Sequence, residues 1–118
     1  MSLDVRTSGD VTILTPKGML LGGKETDELA AKIKELSEAG NSKLLINLGQ
    51  TSFMNSVSLG VLIAGHSNYA KRSAQMKLCA VDKKIQNIFV VTKLSLVFDV
   101  YPTEEQAVAS FAEKKESV

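Results

Sequence analysis

Two hydroxyls flank a valine in Phe53-Met54-Asn55-Ser56-Val57-Ser58-Leu59-Gly60-Val61-Leu62. A strand-like apolar run precedes this stretch and a helix-like one follows it. A serine at such a junction has two uses: phosphate acceptor, or helix cap. Asn55 and Ser56 are both placed to cap. The unpaired backbone N–H groups and the positive end of the helix dipole would face a phosphate on Ser56. That phosphate brings about −1.5 to −2 charges. The helix end stabilises such charge by about 0.3–1 kcal/mol when exposed and by up to about 2 kcal/mol when partly buried. The fold would therefore accept the modification, while anything docking one turn away would meet new charge.

Other chemistry is thinly represented. His66 is the single histidine and Cys79 the single cysteine, so no zinc-type ligand set and no internal disulfide are expected. His66 falls on an apolar stripe and reads as a core or half-buried residue. Cys79 alternates with Lys77 on a strand and reads as an inert packed thiol. Gly18 and Gly22-Gly23 make neither a dinucleotide-binding fingerprint nor a P-loop. No catalytic residue, cofactor or metal is expected.

The elements that position the junction follow from periodicity. Val5 to Thr7 and Val11 to Leu14 read as a hairpin turning at Ser8-Gly9-Asp10, with Pro16 ending the second strand. Leu29, Ile33 and Leu36 mark a helix over about 26–39 stopped by Gly40. Lys43 to Leu48 is a strand covered on both faces. A helix then spans about 57–72 and a strand 76–81. Asp82 caps a helix bearing Ile85, Ile88 and Phe89. A last strand covers 96–101, and Thr103 with Gln106 forms a capping box for a final helix bearing Val108 and Phe111. The order β-β-α-β-α-β-α-β-α predicts one α/β domain: a mixed, mostly parallel sheet of about five strands, with an antiparallel edge strand and about four helices.

The helix after the junction carries two stripes. Leu59, Leu62, Ile63, His66 and Ala70 are predicted to pack on the sheet. Val57, Val61, Ala64 and Asn68 lie opposite, where a surface helix normally shows charge. An apolar docking patch beside the helix tip is the sharper reading of that second stripe.

Bulk properties narrow the partners. The 118 residues suffice for one core, and a net charge of +1 without a basic run excludes a nucleic-acid surface. No apolar run approaches the roughly 20 residues that span a bilayer, so no direct membrane insertion is expected. Asp4 and Arg6 interrupt any secretory signal, and a reducing cytoplasm suits a lone thiol.

Several runs together are specific: "GMLLGGKETDELAAKI", "KLLINLGQTSFMNS", "SLGVLIAG", "MKLCAV" and "TKLSLVFDVYPTEEQAVASF". Through them the chain resembles the STAS family of bacterial anti-sigma factor antagonists. The resemblance implies a STAS-like domain over 1–113, a frayed tail over 114–118, and no catalysis by the domain. It also implies a partner-switching circuit. An anti-sigma factor with an ATP-binding kinase fold binds the unphosphorylated antagonist and phosphorylates it, and a phosphatase resets the switch. The family pattern resembles D-S-[ST]-G-L-G, and here Asn55 replaces the acid, Val57 the second hydroxyl and Ser58 the glycine. Ser56 is the acceptor carried over, with Ser58 an alternative. The implied docking surface takes Gly22, Gly23 and Lys24 from a loop, and Asn55, Ser56, Val57, Ser58, Val61 and Ala64 from the junction and helix. Two alternatives stay open: a regulator that is not phosphorylated, acting as scaffold or decoy, and a STAS subunit of a lipid-transport or other complex.

Overall fold

Runs rich in β-branched residues on either side of a Gly-Asp pair build the first feature of the computed structural model, which describes residues 3–112. Strands β1 (Leu3–Ser8) and β2 (Val11–Pro16) pair antiparallel from Leu3 opposite Pro16 to Ser8 opposite Val11. Gly9 turns the chain at φ +60°, a conformation that costs glycine little. Pro16 closes the strand as expected, having no N–H to donate.

The remaining elements are β3 (Gly18–Leu20), α1 (Lys24–Glu38), β4 (Lys43–Asn47), β5 (Thr51–Met54), α2 (Ser56–Lys71), β6 (Gln75–Cys79), α3 (Lys83–Val91), a 3-10 turn (Leu94–Leu96), β7 (Val100–Tyr101) and α4 (Glu104–Phe111). The main sheet has the order β1-β2-β4-β6-β7 and is parallel apart from β1. This is the expected α/β architecture of five strands and four helices. β4 is central, and its Leu44, Leu45 and Ile46 are fully buried because both sheet faces are covered.

Alternation along the strands divides the core. Leu14, Leu44, Ile46 and Leu78 point to the side packed by α1, α2 and α3 through Leu29, Ile33, Leu59, Leu62, Ile85 and Phe89. Val11, Ile13, Leu45 and Cys79 point to the other side, where Ala107 and Phe111 of α4 cover them. The caps fall where the sequence placed them. Asp82 accepts from the Ile85 N–H at 2.9 Å and Thr103 from the Gln106 N–H at 3.1 Å.

Three expectations are corrected. A second, two-stranded sheet pairs β3 with β5 in parallel; the sequence reading had no strand at 18–20. The predicted strand over 96–101 shortens to Val100–Tyr101, because residues 94–96 turn and Leu96 faces solvent. The buried face of α2 is Ser58, Leu59, Leu62, Gly65 and Tyr69. Ile63 and Ala70 of the predicted stripe are exposed and His66 is half-buried. Gly65 explains the rotation: a Cβ there would stand 3.1 Å from both Ile33 Cγ2 and Met76 Sδ, so its absence lets α2 approach α1 and β6 along that line. Tyr69 follows it inward, its hydroxyl donating to Asn41 Oδ1 at 2.9 Å. Burial pushes the Tyr69 phenol up to about 12. The tail assigned to 114–118 lies outside the described residues.

Candidate functional site

The junction between β5 and α2 is held by Asn55, in extended conformation at the N-cap. Its Oδ1 accepts from the backbone N–H groups of Val57 (3.1 Å) and Ser58 (3.2 Å). Ser58 completes the box: its Oγ accepts from the Asn55 N–H at 3.0 Å and donates to the Asn55 carbonyl at 3.1 Å. Three backbone donors, the N–H groups of Asn55, Val57 and Ser58, are thereby satisfied. Ser58 has no exposed surface, which is incompatible with its use as the alternative phosphate acceptor in this conformation. Ser56, by contrast, is the first residue of α2 and is exposed. No acidic residue occupies the first turn of α2, so its positive end is not neutralised within the helix.

The loop ahead of α1 is bound to this junction from two directions. Asn55 Nδ2 donates to the Leu21 carbonyl at 2.9 Å. Since Oδ1 already holds two N–H groups, the amide orientation follows from its partners. An aspartate could not make the Leu21 bond while ionised, so the amide serves the cap and the loop together. Gly22 turns the loop at φ +92° and lies against Val57: a Cβ on it would stand 3.0 Å from Val57 Cγ1. The Gly22 N–H donates to the buried Thr26 Oγ1 at 2.9 Å. Gly23 is the N-cap of α1 and Lys24, exposed, its first residue. The structure thus brings Gly22, Gly23 and Lys24 beside Asn55, Ser56 and Val57.

The outer stripe of α2 is open. Val57 is 55% exposed, Ala64 exposed and Val61 half-buried. These three line a groove between α1 and α2 of about 440 Å³, together with Ala30, Ile33 and Gly60; Lys34 and Glu38 flank it. Its lining is chiefly apolar, and its size suits a side chain or small helical knob from a partner.

Three residues of this surface escaped the sequence reading. Met19 and Phe53 are register neighbours across the β3–β5 ribbon and, like Leu21, are exposed. They add exposed apolar surface on the ribbon that leads into the Asn55 junction. Phe53 lies in the quoted motif; Met19 joins it only through a strand pairing that local pattern does not reveal.

The remaining candidates are structural. His66 packs edge-on against Phe98 with centroids 5.4 Å apart. Cys79 is fully buried and desolvation pushes its thiol up to about 12, which makes it inert as a nucleophile at neutral pH. No cluster of three or more metal-ligating side chains occurs among the described residues.

Comparison with known proteins agrees with this architecture. The family model of the STAS domain matches residues 2–107. An anti-sigma factor antagonist from Mycobacterium paratuberculosis superposes with a TM-score of 0.83 at 21% identity, covering 94% of this chain and 93% of that one. The Bacillus cell fate determinant SpoIIAA in its phosphorylated form gives 0.75 at 17% identity, over 92% and 98%. A sulfate transporter family protein from Wolinella succinogenes gives 0.70 at 12% identity, over 86% and 84%. At these identities the likeness concerns the fold.

Proposed function

This chain belongs to the STAS domain family, and from that premise we propose that it is a non-catalytic regulator of the anti-sigma factor antagonist type. It docks a kinase-like, ATP-binding anti-sigma factor through the surface formed by Gly22 to Lys24 and by Asn55 to Ala64. One observation carries the reading: an apolar ridge of Val57, Val61 and Ala64, exposed at both ends and half-buried at Val61, begins at a capped helix tip where Ser56 is exposed and the Leu21–Gly23 loop is held in place. An apolar anchor with a groove beside it supplies affinity. A charge at its rim alters affinity without unfolding the domain.

Ser56 is the phosphate acceptor in this reading. Its exposure and the absence of acid in the first turn of α2 support it, and the burial of Ser58 speaks against the alternative hydroxyl. Asn55 supplies no carboxylate to orient the hydroxyl or a magnesium ion, so phosphorylation here depends on catalytic groups of the partner. A regulator that is never phosphorylated would dock through the same ridge.

The test is co-purification from the native cell, then incubation of the recovered partner with this protein and ATP. The expected partner is a kinase-like ATP-binding protein whose binding falls at least tenfold on Val61→Asp, with phosphate found on Ser56 by mass spectrometry. Undiminished binding by Val61→Asp would refute the ridge. Phosphate absent from Ser56 would leave an unphosphorylated scaffold or decoy. A second reading is a subunit of a lipid-transport or other complex, to which the sulfate transporter family neighbour lends only a shared fold; recovery of transporter components in place of a kinase-like protein would select it.

A further inference from the structure

Ten large apolar side chains are exposed among the described residues, and eight of them fall into two groups. Met19, Leu21, Phe53 and Val57 belong to the site above. Val90, Val91, Leu96 and Val97 form a second group on the end of α3 and the turn beyond it, at 64%, 82%, 83% and 45% exposure. Backbone hydrogen bonds from the Lys93 N–H to Val90 O, the Leu96 N–H to Lys93 O and the Val97 N–H to Leu94 O fold this stretch into one knob. Lys93 sits at its apex with φ +64°. Because α3 connects the parallel strands β6 and β7, it runs back toward the amino edge of the sheet. The knob therefore points away from Ser56, which lies beyond the carboxyl edge.

Charge on this element is one-sided. From Lys83 to Phe98 the chain has three lysines and no acid, against a net charge of +1 for all 118 residues. Lys83, Lys84 and Lys93 are all exposed. Lys83 and Val90, like Lys84 and Val91, are seven residues apart, which places each pair on one helical stripe. That outer face lies opposite the buried Ile85 and Phe89. The nearest acids in sequence are Asp82, occupied as the α3 cap, and Asp99 at the foot of β7. A second copy docked knob to knob would set these lysines against one another. A surface that is apolar within and anionic at its face complements the knob in both respects.

We propose that the α3 knob adsorbs to anionic bilayers, with Val91 and Leu96 entering the boundary between headgroups and acyl chains and the three lysines meeting anionic headgroups. No described helix is long and apolar enough to cross a membrane; this is peripheral attachment at the headgroup boundary, which the expectation of no direct membrane insertion, drawn from run length, did not address.

The experiment is flotation of the full chain with vesicles of phosphatidylcholine alone or mixed with phosphatidylglycerol. Flotation with the anionic vesicles only is expected, weakening at high salt. Leu96→Asp should abolish it, and Lys93→Ala should lower partitioning about fivefold. Both side chains face solvent, so circular dichroism should show folded proteins. Equal behaviour on both vesicle types, full flotation by Leu96→Asp, or Leu96 protected within a homodimer in sedimentation velocity overturns the proposal. A knob needed for capturing a protein partner but not for flotation overturns it as well.

Discussion

Replacing Gly22 by alanine tests the contact on which the proposed docking surface is built. Two costs are separable. At φ +92° an L-residue is strained, by about 1–2 kcal/mol for a left-handed backbone. The new methyl would also lie 3.0 Å from Val57 Cγ1 and 3.2 Å from Val57 Cβ. Overpacking of a closed core costs about 1–3 kcal/mol; Val57 is half open to solvent, so the low end applies. The expected loss is about 2–3 kcal/mol, a fall in melting temperature on the order of 10 °C for a domain of this size. Val57→Ala removes Cγ1 but leaves Cβ in place, so it relieves part of the clash and none of the backbone strain. Urea unfolding of the wild type, both single variants and the double variant should therefore give a coupling of about 0.5–1 kcal/mol, the double variant being more stable than the sum predicts. Gly23→Ala, where a Cβ meets nothing within 4 Å, should show no coupling to Val57. Additivity of Gly22→Ala with Val57→Ala to within about 0.3 kcal/mol would mean that loop and helix do not touch in solution, and the bipartite surface would fail with it.

Two further changes probe the supports of the site and the fold. Ser58→Ala removes both hydroxyl bonds of the capping box and leaves the Asn55 N–H without its acceptor; a loss of about 1–2 kcal/mol in thermal or urea unfolding is expected, and an unchanged midpoint would show that the box contributes nothing. The Glu104 carboxyl is held below the usual carboxylate range, chiefly by the hydrogen bond from Arg6 and also by one from Asn47, against partial desolvation. A lowered folded-state pKa means stability present above the unfolded value of about 4.3 and lost as pH falls through the folded one. Glu104→Gln should accordingly flatten the acid limb of the stability curve below about pH 4.5, and an acid limb identical to the wild type would remove Glu104 from the account.

Legibility in the sequence followed the range over which each signal acts. Caps are local, and Asp82, Thr103 and Asn55 were readable as caps because donor and acceptor lie within three residues of each other; the reciprocal bond from Ser58, read there as a hydroxyl open to phosphate, was not. Central strand β4 was readable because a residue buried on both faces must be apolar at every position. The β3–β5 ribbon was not, since three residues after Pro16 carry no period and find their partner more than thirty positions later. Nor was the true inner face of α2: counting apolar residues gives weight to Ile63 and none to Gly65, whereas packing rewards Gly65 for the side chain it lacks. The same blindness shaped the view of the site. Val57 reads as a lost hydroxyl when compared with a motif, yet in three dimensions its methyls fill the space that Gly22 leaves open. Asn55 reads as a lost charge, yet its amide is what joins the loop to the helix. Both departures remove chemistry from the acceptor while adding contacts that fix the surface around it. Within the proposed function, they weight docking over modification.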